Sequence, residues 1–143
     1  MVGRLQPGGH LSHACDVCAR PVGDGEGELR VDERDVLDYP AAVRRFDDQV
    51  DRVAAGADPE DWEDWEELWA LPRPARWVVR HHGCAGSGTA AFSIPVEEVR
   101  SVVALLRWTL VLHTRVWLPV TDWDDWVRRT CAAHGVPLTD DDV

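Results

Sequence analysis

The chain of 143 residues contains no Lys and no Asn, and it has only one Met, one Tyr and two Phe. This bias is expected of coding sequence rich in G and C, and it carries no information about function. The absence of Lys does exclude one reading of the Gly-Ser-Gly run at 86–88, because a phosphate-binding loop needs a Lys and a preceding strand. The sequence also shows no Ser, His and Asp set of the kind that a catalytic nucleophile at a recognisable turn requires.

Long hydrophobic runs are also missing. The longest apolar stretch, Val102 to Leu112, is interrupted by Arg107 and falls short of the roughly 20 residues that span a bilayer. The chain opens without a basic start, an apolar run and a small-residue cleavage site, which a secretory signal would require. We therefore expect a soluble cytoplasmic protein without a membrane partner.

Acidic side chains dominate the charge, which is formally -11. Fourteen acids and four Arg lie between Asp32 and Glu67, so this block carries nearly the whole excess. Such a block repels a phosphate backbone. We therefore do not expect a nucleic-acid partner, although residues 73–115 hold six Arg and two Glu.

Four Cys are present, and in a reducing cytosol metal ligation is a better use of them than disulfides. Cys15 and Cys18 form a Cys-x-x-Cys pair in a tight turn, and His81 and Cys84 form a His-x-x-Cys pair after a predicted strand. Two such pairs supply the four ligands of a tetrahedral structural zinc ion. His82 is an alternative ligand to His81, whose spacing to Cys84 we prefer.

The two pairs resemble the first half-site of LIM-type and related treble-clef or ribbon zinc fingers, which read Cys-x-x-Cys, a hairpin and His-x-x-Cys. The likeness covers only the four ligands and their flanks. Ala19 stands where such turns usually have Gly, and some sixty residues separate the pairs where the family has about twenty. The chain also resembles small zinc-finger-like proteins of high-GC bacteria and their viruses, which implies no activity.

A second set of possible ligands lies near the end of the chain. Cys131 and His134 are spaced i and i+3 on a predicted helix, so they could replace or extend the first set. The alternative is a buried Cys and a His that interacts with the helix dipole. The sequence leaves this choice open.

The order of elements predicts an α+β fold, mainly α. We expect a small zinc-tied β-hairpin packed on a long central helix, with a helical acidic insertion at about 32–71 that Pro40 kinks or divides. Residues 1–14 are expected to form a loose arm, 15–137 a single domain, and 138–143 a disordered acidic tail. The predicted strands are 28–31 and 75–81, and the predicted helices are 32–55, 58–71, 95–118 and 121–134.

Eight Trp predict a Trp-rich core, since each buried indole removes about 150 to 250 Å² from water. The helix predicted at 95–118 carries apolar residues on more than one stripe, which indicates packing on two sides or a homodimer contact. The acidic helix predicted at 58–71 places Trp62, Trp65 and Trp69 on one side. These Trp either face the core or bind a protein partner.

The sequence is compatible with three candidate functions. The first is a non-enzymatic zinc-binding interaction or regulatory module. The second is a metal-dependent nuclease-like enzyme using His81 or His82, although the next helix offers only His113 and the chain has no Asn. The third is a zinc-finger nucleic-acid-binding protein, whose basic side chains would be Arg73, Arg76, Arg80, Arg100 and Arg107.

Overall fold

The computed structural model describes residues 10–56, 71–84, 86, 88–136 and 138. Most of the helix predicted at 58–71, including Trp62, Trp65 and Trp69, lies outside the described residues. The acidic tail predicted at 138–143 lies outside them except for Leu138.

Three antiparallel strands form the sheet, in the order β2-β1-β3. They are β1 (Gly27–Asp32), β2 (Trp77–His81) and β3 (Ala90–Pro95). On the central strand, Leu29 lies opposite Val79 on one side and Ile94 on the other, and all three are buried. The inner face of the sheet is therefore an apolar surface on which the core forms.

The sheet corrects the predicted fold in one respect. The two predicted strands do pair, with a helix between them in the sequence as expected, and β3 adds a third strand that was not predicted. Sequence reasoning missed β3 because its residues, AAFSIP, are partly small and follow the Gly-rich run at 83–88. The α+β class is confirmed.

Helix α1 (Glu33–Ala54) begins directly after β1 and contains Pro40 as part of one continuous element. Two acids in its first turn suit the helix dipole. No residue of α1 is fully buried, which fits an acidic helix lying on the surface. The first part of the predicted acidic insertion is thus helical.

Helix α2 (Val102–Leu112) is shorter than the helix predicted at 95–118. Residues Val96–Val99 and Leu118–Val120 form separate 3-10 turns. The reason is the Ser101 hydroxyl, which accepts a hydrogen bond from Ala104 N at 3.1 Å and caps α2. The Ser101 backbone is extended there, so a helix beginning at Pro95 cannot continue through it.

Helix α3 (Trp123–Ala133) confirms the last predicted helix. The buried carboxylate of Asp122, just before it, accepts a hydrogen bond from Trp77 N at 2.8 Å and contacts Arg129 at 3.1 Å. Asp122 N also donates to Ala75 O. This helix is therefore fixed to the outer edge of β2 by backbone and side-chain bonds.

The core is rich in Trp, as predicted. Trp77 and Trp123 are fully buried, and their rings meet edge to face with centroids 5.0 Å apart. Their indole N–H groups donate to Thr121 Oγ1 and Thr109 Oγ1, each at 3.0 Å. Because both polar atoms are paired, these indoles are buried without the cost of a lost hydrogen bond.

Residues 11–14 do not form the loose arm that the sequence suggested. Leu11 is buried, and its N–H donates to Arg100 O at 2.7 Å. His13 is also buried; its Nε2–H donates to Val99 O at 2.7 Å and its ring stacks on Trp126. The start of the described chain is therefore part of the core.

Across the described part of the chain, no helix combines the length and the apolar character needed to cross a bilayer.

Candidate metal centre

The Cys15–Cys18 turn is closed by local backbone bonds. Cys15 N donates to Arg20 O and Ala19 N donates to Cys15 O, both at 2.9 Å, and Ala14 pairs with Pro21 across the turn. Ala19 has a φ of 62°, the left-handed conformation that Gly adopts at lowest cost. The turn therefore holds Ala19 in a left-handed conformation, at the position where Gly was expected.

Asp16 attaches this turn to the sheet. Its N–H donates to Val79 O at 2.8 Å, and its carboxylate accepts from Val79 N at 2.7 Å. Val79 lies two residues before His81 on the outer edge of β2, so the paired bonds align the two halves of the site. Sequence reasoning missed Asp16, since an acid inside a Cys-x-x-Cys pair has no specific meaning without the neighbouring strand.

The second half of the site comes from the end of β2. His81 is the last residue of that strand, and His82–Cys84 form a 3-10 turn that folds the chain back. The ligand atoms of Cys15, Cys18, His81 and Cys84 all lie within 4.8 Å of one another. Four side chains from distant parts of the sequence therefore converge on one point.

His82 is exposed and does not join the cluster. Its backbone N–H donates to Glu26 O at 3.0 Å. The structure thus separates the two neighbouring imidazoles that the sequence left as alternatives, and it brings His81 to the cysteines.

Both ring nitrogens of His81 have contacts, and one of them shows where a proton is held. Nε2 lies 2.9 Å from Pro21 O, and a carbonyl oxygen can only accept, so Nε2 carries the proton. Nδ1 lies 3.3 Å from Cys18 Sγ and is the ring nitrogen that faces the cluster. Metal-binding His residues commonly donate their second N–H to a backbone carbonyl in this way, which orients the ring.

The pKa values of the four groups are displaced in opposite directions. Burial would raise the pKa of Cys15, but hydrogen bonds from backbone N–H groups, foremost that of Cys18, lower it to about 6. A hydrogen bond from the Arg20 backbone lowers the pKa of Cys18. Burial and the two neighbouring thiols raise the pKa of Cys84. The Pro21 carbonyl and the nearby thiolates raise the pKa of His81.

The directions of these pKa shifts indicate that the cluster favours binding of a cation. The first two thiols are stabilised as thiolates, and the negative charge they create resists ionisation of the third and attracts a proton to the imidazole. A divalent cation at the centre removes that conflict, because it allows three thiolates and a neutral imidazole to coexist.

The donor set fits a tetrahedral metal ion. At metal–sulfur distances near 2.3 Å, tetrahedral ligand atoms lie about 3.8 Å apart, so the cluster closes around an ion with shifts of about 1 Å or less at each side chain. All four cysteines are free of disulfides. The three thiols and one imidazole are therefore compatible with metal binding as they stand.

Cys131 and His134 lie apart from this cluster. Cys131 is buried in the core. His134 Nδ1–H donates to Thr130 O at 2.7 Å, and Nε2 accepts from Ser12 N at 3.0 Å. Both ring nitrogens of His134 thus serve to tie the start of the described chain to the end of α3, and neither is free for a metal.

The other predicted surfaces are only partly described. Trp62, Trp65 and Trp69, the predicted partner-binding residues, lie outside the described residues. Among the scattered Arg, Arg100 donates to Asp24 Oδ1 at 2.9 Å and to Val22 O at 2.7 Å, so its charge is already engaged.

Comparisons of the chain with protein-family models, with curated proteins and with solved structures give no match.

Proposed function

We propose that this protein is a non-enzymatic zinc-binding module, in which one structural Zn²⁺ is held by Cys15, Cys18, His81 and Cys84. The observation that carries the proposal is the convergence of the four ligand atoms within 4.8 Å. Thiolate and imidazole donors in a tetrahedral arrangement suit zinc better than magnesium or calcium, which prefer oxygen.

The role of the ion is structural because four protein ligands complete its coordination. A catalytic zinc keeps one position open for water or substrate. A nuclease-like reaction at His81 or His82 would need that open position, and the exposed His82 is outside the cluster. The proposal therefore assigns no reaction to the site.

The ion has enough binding energy to join such distant ligands. Closing a loop of about sixty residues costs roughly 3 to 4 kcal/mol beyond a constant, because the cost grows with the logarithm of loop length. Apparent zinc binding in small domains supplies about 10 to 16 kcal/mol. The zinc ion can therefore hold the Cys15–Cys18 turn on the end of β2, although α1 and the residues that follow it separate the two in the sequence.

The zinc site stabilises surfaces on which a protein partner, rather than a nucleic acid, binds. From the sequence we propose the acidic segment with Trp62, Trp65 and Trp69 as one such surface, in a cytoplasmic protein. Substitution of these Trp by Ala would abolish capture of a partner without lowering stability. If stability falls instead, the Trp side chains belong to the core and this part of the proposal is wrong.

Two cysteine variants test the structural role. Cys84→Ser removes one ligand, and we expect loss of zinc and loss of the cooperative thermal transition seen by circular dichroism. Cys131→Ala is the matched control, since it removes a buried thiol outside the cluster; it should keep its zinc and lose only about 1 kcal/mol of stability. A folded Cys84→Ser protein with unchanged stability would contradict a structural ion.

A further inference from the structure

Three cysteine side chains lie side by side in the metal centre. The Sγ atoms of Cys15, Cys18 and Cys84 are all within 4.8 Å of one another, and none of them is in a disulfide. Sulfur atoms this close need to approach by at most about 3 Å to form an S–S bond of about 2.05 Å. The cluster therefore holds both halves of a disulfide and lacks only an oxidant.

The three thiols differ in how far solvent reaches them. Cys15 is only 2% exposed, whereas Cys18 and Cys84 are half-buried. An oxidant from solvent therefore meets Cys18 or Cys84 before it meets Cys15. Access to solvent is one condition for cysteine oxidation, and the other is thiolate character, which ligation to a metal ion requires.

Cys18 has a reaction partner in its own turn. The turn is closed by the hydrogen bonds from Cys15 N to Arg20 O and from Ala19 N to Cys15 O. These bonds keep Cys15 and Cys18 close together whether or not an ion lies between them. Cys15 is protected from the oxidant by burial, but it is adjacent to an oxidised Cys18 and is therefore the thiol that reacts with it.

Cys84 is the less suitable partner for Cys18. It ends the 3-10 turn His82–Cys84 that follows β2, and some sixty residues separate it from the cysteine pair in the sequence. Its distance from Cys18 depends on the two halves of the site remaining together. The entropy cost of loop closure is lower for the short loop than for the long one, so bond formation within the turn is favoured.

We propose that the Cys15–Cys18 pair is a modification site at which a hydroperoxide forms a disulfide and thereby opens the metal centre. This inference rests on the proposed zinc site and names a way in which that site is regulated. The disulfide removes two of the four ligands, both from one half. His81 and Cys84 alone cannot complete a tetrahedral site, so oxidation ends the tie between the halves.

The reaction balances with hydrogen peroxide as the oxidant. The Cys18 thiolate attacks one peroxide oxygen; an S–O bond forms, the O–O bond breaks, and the departing hydroxide takes a proton to become water. The Cys15 thiolate then attacks Cys18 Sγ; the S–S bond forms, the S–O bond breaks, and the second hydroxide also becomes water. Two electrons pass from the sulfurs to the oxygens. Two molecules of a reduced thiol reverse the change by thiol–disulfide exchange and are themselves oxidised to a disulfide.

The test uses the full chain after mass spectrometry has shown about one equivalent of bound zinc. Hydrogen peroxide at about tenfold molar excess should release that zinc. Alkylation of the free thiols as soon as zinc is released, followed by peptide mapping, should find Cys15 joined to Cys18, with Cys84 and Cys131 alkylated. Reduction with dithiothreitol and return of Zn²⁺ should restore the starting protein.

Cys131→Ala is the matched control, because it removes a buried thiol outside the cluster. This variant should release zinc at the same rate and form the same disulfide, and it should keep one free thiol where the unmodified chain keeps two. The oxidised chain should also lose its cooperative thermal transition, as it does when a chelator removes the zinc. A disulfide from Cys84 to the turn would instead preserve the transition, since it would replace the ion as a tie.

The opposite results separate this inference from the proposed function. A zinc-loaded chain that keeps its zinc and its four thiols in peroxide would overturn the inference and leave the zinc site intact. A disulfide that includes Cys84, or a sulfinic acid at Cys18 without a disulfide, would show that the pair is wrongly assigned. A chain purified without zinc would overturn the proposed function together with the inference that rests on it.

Discussion

The imidazole of His81 is bound to the backbone of the other half of the site, since its Nε2–H donates to Pro21 O at 2.9 Å. Pro21 lies three residues after Cys18, so the Cys-x-x-Cys turn itself orients the histidine ligand. The two halves thus contact each other directly before any ion is considered. Neither half can be displaced without breaking the arrangement of the other.

This relationship predicts different outcomes at two adjacent histidines. His81→Ala should lose most of the metal affinity, because it removes both a ligand and the bond to Pro21. His82→Ala should retain metal and stability, since the exposed His82 side chain is outside the cluster. Titration with Co²⁺, followed by the thiolate charge-transfer absorption, measures both affinities. Equal losses in the two variants would contradict the assignment of the ligand.

Ala19 offers a stabilising substitution. Its φ of 62° strains an L-residue with a side chain, while Gly adopts this conformation freely at some cost in unfolded-state entropy. Ala19→Gly should therefore raise the free energy of unfolding by about 0.5 to 1 kcal/mol, measured by chemical denaturation of the metal-loaded protein.

Gly135 allows the reverse substitution, from Gly to Ala, as a control for Ala19→Gly. It has a φ of 78°, and a Cβ placed on it would meet no atom within 4 Å. Gly135→Ala should therefore lower stability by about 1 kcal/mol through backbone strain alone. A destabilised Ala19→Gly protein would show that the turn does not hold its left-handed conformation.

Because His13 is buried, we expect the free energy of unfolding to fall in acid. Burial lowers its pKa below the ordinary 6.5, although the hydrogen bond to Val99 O opposes the shift. Below pH 6.5 the unfolded chain therefore binds a proton that the folded chain resists. The free energy of unfolding falls as pH falls through this window, by at most about 1.4 kcal/mol per pH unit for one proton.

The measurement for His13 is a comparison with His13→Gln at about pH 7.5 and about pH 5.5. The glutamine amide can still donate to Val99 O but does not titrate. Because acid also weakens metal binding in both proteins, the informative quantity is the difference between them. The unmodified chain should lose more stability on acidification; an unchanged or reversed difference would contradict the burial argument.

The site could be predicted from sequence because its geometry is mostly local. Cys15 and Cys18 share one turn, and His81 and Cys84 flank another, so each pair is set by residues a few positions apart. What the spacing could not supply was the contact between the halves. That contact rests on Asp16 bonded to Val79 and on Pro21 bonded to His81, which only the folded sheet brings together.

The fold was predicted less completely, for related reasons. Helices α1 and α3 carry clear periodicity and end signals. The strand β3 has neither length nor strong alternation, and it forms because β1 offers it an edge. Leu11 and His13 could not be placed in the core from sequence, since their partners Arg100 and Val99 are remote along the chain.

The most direct test of the zinc proposal is the metal content of protein purified without added zinc, determined by mass spectrometry together with the protein concentration. We predict one equivalent of zinc per chain, and unfolding of the protein when a strong chelator removes it. Less than about half an equivalent of any metal in a protein that remains cooperatively folded would contradict the account.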